Sequence, residues 1–192
     1  MPLFPMFMKL DGQRVLVVGA GRIGEGKIRS LLQAEAAVRV VAPEATRRVE
    51  AWARTGRIEW SARAFTPRDL RGARLAIVAT SSEEVNDQVA RLARRLRIPV
   101  NVVDDPKTCE FYYPAVIRRG PLLVAICTEG RSPALARRLR QHLQRSITPE
   151  LGRAVKLLGR ERDRLVAESI HPGHRRRTLI RLAGEVPLGR GK

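Results

Sequence analysis

Short, continuous apolar runs alternate along this chain with longer stretches in which apolar residues recur every three or four positions. Arg14-Val15-Leu16-Val17-Val18 is β-branched and apolar almost throughout, which suits a strand covered on both faces of a parallel sheet. Gly24 to Ala34 carries Ile28, Leu31 and Leu32 at helical spacing, and Ala37 to Ala42 reads as a second strand. The alternation continues with a helix over about Ala45 to Arg54 and a short strand at Ile58-Glu59-Trp60. A strong strand at Leu75 to Ala79, a helix from Glu83 to Arg95 and a strand at Val100 to Val103 follow. Strands alternating with helices of this length predict a parallel sheet wound on both sides.

After Pro114 the texture changes. One more apolar strand, Leu122 to Ile126, leads into Gly130-Arg131-Ser132-Pro133 and a basic helix from Pro133 to Gln144, with Ser132 as the expected N-cap and Pro133 as the first helical residue. Thr148-Pro149 repeats that signal ahead of a charged helix running towards Glu168. His171-Pro172-Gly173-His174 is expected to break this helix before a short basic one, and the tail from Pro187 to Lys192 is expected to fray.

Gly19-Ala20-Gly21-Arg22-Ile23-Gly24 fits the pattern G-x-G-x-x-G, directly after a strand and opening a helix. The first glycine permits a tight turn, the second lets a pyrophosphate approach the backbone, and the third permits close packing of helix on strand. The helix start then offers free N–H groups and a positive dipole end to the phosphates. The fold class expected is therefore α/β: a Rossmann-like doubly wound parallel sheet, then a small α+β dimerisation segment and a C-terminal helical segment. The expected domains are 1–113, 114–147 and 148–192.

The usual partner of the glycine turn is an acidic residue at the end of the second strand that holds the ribose hydroxyls of NAD. Here the sequence reads Val41-Ala42-Pro43-Glu44, which puts Glu44 slightly beyond the strand. Either its carboxylate meets the ribose or the backbone at Pro43 and Glu44 lines the adenosine pocket. Arg47 and Arg48 are candidates for the extra phosphate of NADP, and NAD is the expected cofactor. Ligands of such sheets sit beyond the carboxyl ends of the strands. Three further segments are expected to converge there: 79–82, 101–106 and 128–133.

A net charge of +18 sets up a field that attracts polyanions, whether nucleic acid, an anionic membrane surface or a small polycarboxylate. The longest apolar runs are far shorter than the roughly 20 residues that cross a bilayer, so no membrane span is expected. Met1 to Met8 has no basic segment ahead of a long apolar run, so no signal peptide is read there. Cys109 and Cys127 form no metal or redox motif and read as reduced thiols of a cytoplasmic protein. His142, His171 and His174 are scattered on or after basic helices and read as surface residues, so no metal ligands are expected.

These segments, in this order, resemble the precorrin-2 dehydrogenase family, the N-terminal module of sirohaem synthase. The resemblance rests on Pro5-Met6-Phe7, on Val15 to Gly24 with Lys27 after it, and on Val41-Ala42-Pro43. It also rests on Ala79-Thr80 with Asn86, Asn101-Val102-Val103-Asp104, Phe111 with Pro114, and Gly130-x-Ser132-Pro133-x-Leu135-Ala136-Arg137. It covers about the first 145 residues closely and the helical remainder in general character.

What the resemblance implies is an NAD-dependent oxidation of precorrin-2 to sirohydrochlorin, on the way to sirohaem or cobalamin, with insertion of Fe or Co in some members. The substrate would be a tetrapyrrole with eight carboxylates, which gives the basic charge a concrete partner. The cofactor residues carried over are Gly19, Gly21, Arg22, Ile23, Gly24, Pro43 and Glu44, with Thr80 and Ser81 towards the nicotinamide. Asp104 matches the general base, and Asn101, Thr128, Gly130, Ser132 and Pro133 are the expected substrate contacts. From chemistry alone, a carboxylate at a strand end near the nicotinamide suits proton abstraction; the bland alternative is that Asp104 and Asp105 only cap a turn before Pro106. For Ser132 and Pro133 the alternative is helix capping alone.

The resemblance also implies a homodimer whose active site is bordered by both chains, and the methyltransferase fused to this module in some relatives is not expected here. Thr128 stands where some relatives have a phosphorylated serine, a regulation not carried over. The competing reading is a dinucleotide-sensing regulatory protein whose arginine-rich stretch from Arg160 to Arg181 contacts nucleic acid, although no reading helix is evident.

Overall fold

The structure is a computed structural model that describes residues 3–188. Expectations for Met1, Pro2 and the tail beyond Leu188 lie outside the described residues. The chain forms two compact units, Met1–Tyr112 and Tyr113–Lys192.

In the first unit, β1 (Arg14–Ala20), α1 (Arg22–Leu32), β2 (Ala37–Ala45), α2 (Arg47–Arg54), β3 (Glu59–Ser61), β4 (Leu75–Val78), α3 (Glu83–Arg95) and β5 (Val100–Val102) follow in order. The five strands make one parallel sheet in the order β3-β2-β1-β4-β5. The order reverses between β1 and β4, so the crevice beyond their carboxyl ends is the ligand position of this topology. Alternation along each strand supplies two cores. Leu16, Val18, Ala76, Val78, Val100 and Val102 pack with Val89, Ala90 and Ala93 of α3, while Val15, Val17 and Val40, also buried, point the other way. This is the α/β, Rossmann-like arrangement expected.

Several boundaries differ from the expectation by one to three residues, and two of them bear on the glycine turn. α1 starts at Arg22, so the last glycine of the turn lies inside the helix. β2 runs to Ala45, and Glu44 therefore lies within the strand and not beyond it. The cause is an irregularity in the β1–β2 ladder: the register slips between Val18 and Ala20, pairing Ala20 with Ala45 and prolonging β2 beside the glycine turn.

A short 3₁₀ turn at Pro67–Leu70 also went unexpected. It places Asp69, 1% exposed, against Arg63, whose guanidinium donates to both carboxylate oxygens at 2.8 and 2.6 Å, and against Arg39 at 3.2 Å. The Thr66 N–H and hydroxyl add donors at 2.8 and 3.0 Å. A buried carboxylate persists only when its charge and lone pairs are met in this way.

The second unit contains β6 (Ala115–Arg119), β7 (Leu122–Ile126), α4 (Pro133–Ser146), α5 (Pro149–Ala167) and α6 (Pro172–Gly184). β6 and β7 form an antiparallel hairpin around Gly120, whose φ is +57°. The expectation held only β7. The Arg119 guanidinium donates to the carbonyls of Ile147 and Gln144 at 2.8 and 3.3 Å, closing the C-terminal end of α4. A Cβ on Gly152 would overlap the Arg119 carbonyl, so α5 approaches β6 at a glycine. His171 starts α6: its Nδ1 accepts from the Gly173 N–H at 3.2 Å. Within the arginine-rich stretch, Arg164 pairs with Glu161 and Glu168, and Arg181 with Glu185, along their own helices. No helix among the described residues is long and apolar enough to cross a membrane.

Candidate functional site

The three glycines of the turn are required for different reasons. Gly19 has φ +99°, and a Cβ there would collide with the Ala79 carbonyl at the end of β4; a Cβ on Gly24 would collide with the Gly19 carbonyl. Both are demanded by close packing within the chain. Gly21 is different. Its φ of −71° suits any residue, and a Cβ there would meet no protein atom within 4 Å. The fold does not need a glycine at this place, whereas a ligand lying on the backbone would. Gly21 is the N-cap of α1, no side chain caps that end, and Arg22 and the 52%-exposed Ile23 flank it. The turn thus fits a dinucleotide pyrophosphate.

The neighbouring elements gather the remaining first-unit candidates at this edge. Pro43 and Glu44 are exposed in the last residues of β2, beside the turn through the Ala20–Ala45 pairing. Thr80 follows β4: its hydroxyl donates to Asn86 Oδ1 at 2.6 Å and accepts from the Ser82 N–H at 3.2 Å, which shapes the entry to α3. Ser81 between them is exposed. Ser82 caps α3 through the Val85 N–H at 3.3 Å.

Beyond β5, Val103 N–H still bonds the Val78 carbonyl at 2.9 Å, and the chain then turns through Asp104 with φ +62°. That left-handed conformation is uncommon for a residue other than glycine, and strained residues of this kind concentrate at functional sites. The turn itself is closed by Asp105, whose Oδ1 accepts from the Lys107 N–H at 3.2 Å; a hydrogen bond from the Thr108 side chain holds this carboxyl below its ordinary range. Asp104 contributes none of these bonds and its side chain is exposed.

Asn101 is 6% exposed, and its amide donates to the Phe111 carbonyl at 2.8 Å and to Cys109 Sγ at 3.2 Å. It pins the loop that carries Asp104. Cys109 Sγ in turn donates to the Val102 carbonyl at 3.0 Å, and burial pushes its thiol up.

In the second unit, Thr128 to Pro133 is one compact turn. Glu129 and Gly130 are left-handed, with φ +53° and +75°, Arg131 N–H bonds the Thr128 carbonyl at 2.8 Å, and Ser132 N–H bonds the Thr128 hydroxyl at 3.2 Å. Ser132 Oγ accepts from the Leu135 N–H at 3.3 Å and Pro133 opens α4. The helix start is built as expected.

A family profile described as "Putative NAD(P)-binding" matches residues 6–115, the span that holds the sheet, the glycine turn and Asp104. The chain belongs to the NAD(P)-binding family. A second profile, "Sirohaem biosynthesis protein central", matches residues 119–146. The chain is 43% identical to "Siroheme synthase 3" of Aeromonas hydrophila over 98% of its own length and 40% of that protein. It is 43% identical to "Siroheme synthase" of Pseudomonas putida over 90% of its length and 37% of that protein. It thus spans about two fifths of these curated relatives. Among solved structures, "SirC, precorrin-2 dehydrogenase" is similar at a TM-score of 0.79 and 26% identity, covering 94% of this chain and 89% of that one.

For an NAD(P)-binding domain the residues present fit the cofactor: the uncapped start of α1 and the open space over Gly21 would admit a pyrophosphate. The cofactor of that family is an NAD(P) dinucleotide. Sequence reasoning touched Lys27 only as part of the resemblance. One turn after Gly24 on the same helix face, it is half-buried, and desolvation lowers the pKa of its ammonium, opposed in part by the Asp104 carboxylate, so it lies in the electrostatic field of the Asp104 loop. The signal was the i, i+3 relation to Gly24, which packs on Gly19 at the end of β1. No group of three or more histidine, cysteine or acidic side chains among the described residues is arranged to hold a metal.

Proposed function

We propose that this protein oxidises precorrin-2 to sirohydrochlorin with NAD. The likeness to the precorrin-2 dehydrogenase SirC carries the reading, because it extends over nearly the whole of both chains and therefore over both units. The siroheme synthase relatives support it from sequence.

The oxidation removes two hydrogens from the substrate, one as hydride and one as a proton. NAD, when bound, supplies the hydride acceptor. The α1 N-terminus, with Gly21, Arg22 and Ile23, holds the pyrophosphate, Pro43 and Glu44 line the adenosine side, and Thr80 and Ser81 flank the nicotinamide side. Asp104 takes the proton: it is a carboxylate at a strand end, exposed, and released from turn closure by Asp105. Asn101 acts on the reaction by fixing the Asp104 loop. In the second unit, the turn from Thr128 through Gly130 to Ser132 and Pro133 receives a substrate carboxylate at the start of α4, with a net charge of +18 drawing the polycarboxylate in.

The same reading divides the second unit into a dimerisation segment, 114–147, and a helical segment, 148–192. It makes the protein a cytoplasmic homodimer, in keeping with the exposed Val116, Leu135 and Leu139 of the hairpin and α4. Insertion of Fe²⁺ or Co²⁺ into the product is a second proposed activity, resting on the family resemblance of the sequence alone.

Anaerobic incubation with precorrin-2 and NAD tests the proposal. The sirohydrochlorin spectrum is expected to develop with stoichiometric NADH; no spectral conversion would overturn it. Adding Fe²⁺ or Co²⁺ afterwards reads the chelatase step.

A further inference from the structure

The start of α2, beside the end of β2, carries a cluster of side chains that includes Arg48. Thr46, the N-cap of α2, is fixed beside the glycine turn by its N–H bond to the Ala20 carbonyl at 3.1 Å. Its hydroxyl accepts from the Val49 N–H at 3.3 Å and donates its one proton to Glu25 Oε2, on α1, at 2.8 Å. The other oxygen of Glu25 lies 3.7 Å from Arg48, whose guanidinium also stands over the Trp52 ring, 5.8 Å from its centroid.

In this fold the adenosine ribose lies at the carboxyl end of β2, and proteins that take NADP hold its 2′-phosphate with arginine and other donors near that strand end. In this chain those groups are Thr46, Arg47 and Arg48. We infer that Glu25 sets the choice of NAD over NADP, because its carboxylate takes up the Thr46 hydroxyl and Arg48 and puts negative charge where a 2′-phosphate would bind. The inference rests on the reading that the glycine turn takes a dinucleotide. It deepens that reading by naming a discriminating residue on α1, away from the β2 end where an acidic residue is ordinarily sought.

The physical argument has two parts. A hydroxyl has a single proton, so Thr46 cannot donate to a phosphate while it donates to Glu25. A doubly charged phosphate approaching Arg48 also meets the Glu25 carboxylate at close range, a like-charge contact that disfavours binding. Glu44 is exposed and free to meet the 2′-hydroxyl of NAD, which makes it the natural comparison.

The test is fluorescence titration of the full chain with NADH and with NADPH, reading the ratio of the two dissociation constants. Glu25→Gln keeps an acceptor for Thr46 and removes the charge, and is expected to shift the ratio towards NADPH by about tenfold, the scale of one like-charge contact at a partly screened surface. Arg48→Gln alone is expected to leave the ratio within about twofold, because Glu25 already engages Arg48; in the Glu25→Gln background it is expected to abolish the gain. Arg48 is largely exposed, so this variant reports even if Glu25→Gln does not fold: a tenfold loss of NADPH affinity in Arg48→Gln would overturn the inference. NADH binding with an unchanged ratio in Glu25→Gln would also overturn it. Failure of the wild-type protein to bind either dinucleotide would instead overturn the cofactor reading, and this inference with it.

Discussion

Asp105 relieves Asp104 of turn closure. The Asp105 carboxylate receives the Lys107 N–H at 3.2 Å, while its neighbour adopts the left-handed φ of +62° and enters no hydrogen bond of the loop. Adjacent identical side chains thus have separate roles, one fixing the backbone and the other presented at the strand end. Substituting each separates them: Asp105→Ala loosens the loop and lowers stability, by about 1 kcal/mol for a lost turn bond, as urea unfolding would measure. Asp104→Asn is expected to leave stability within about 0.5 kcal/mol, the usual range for an exposed site.

The glycine turn makes a second pair of opposite predictions. Gly19→Ala places a methyl group against the Ala79 carbonyl at φ +99° and is expected to destabilise the fold by at least about 2 kcal/mol. Gly21→Ala meets no protein atom, so its midpoint in urea is expected to stay unchanged while NAD affinity falls about tenfold or more, as a methyl group intrudes on the pyrophosphate. Equal loss of stability in both variants would contradict the assignment.

Much of this was legible in the sequence, and the failures have physical reasons. β1, β4 and α3 are long or strongly patterned, so apolar period alone locates them, and Ser132-Pro133 announces α4 through local capping chemistry. Glu44 was placed outside β2 because the ladder irregularity between Val18 and Ala20 leaves no mark on the composition. β6 escaped because only five residues form it and it ends in two arginines, one of which reaches α4 carbonyls 25 and 28 residues away. The Thr46–Glu25 bond spans 21 residues and exists only once α1 and α2 pack side by side. Nothing in Asp104-Asp105 as a dipeptide says which residue closes the turn.

Acid stability depends on Asp69. The hydrogen bonds from Arg63, aided by Thr66, hold its carboxyl at about 2 against an ordinary 3.8. Because the folded value is the lower one, this stabilisation is complete above about pH 4 and is lost as pH falls towards 2. It amounts to roughly 2 kcal/mol. Asp69→Asn is expected to lower stability at pH 7 and to flatten its pH dependence between 4 and 2, as urea denaturation across that range would reveal. An unchanged slope would mean that other carboxylates govern the acid limb.

Ser132 carries both a cap and a proposed carboxylate contact. Ser132→Asp retains an N-cap acceptor, so thermal stability is expected to hold, whereas the added negative charge opposes a substrate carboxylate at the same helix start. The KM for precorrin-2 is expected to rise about tenfold with NAD affinity unaffected. An unchanged KM would reduce Ser132 to helix capping.

The most direct test of the central claim is the single-turnover rate of precorrin-2 oxidation by the NAD-loaded protein, wild type against Asp104→Asn. The two proteins are first matched for folding and for NAD binding. If Asp104 takes the proton, the wild type forms sirohydrochlorin and one NADH per site while the variant is slower by about 100-fold or more, the usual scale for loss of a general base. A variant that binds NAD normally and oxidises precorrin-2 at the wild-type rate would contradict the account.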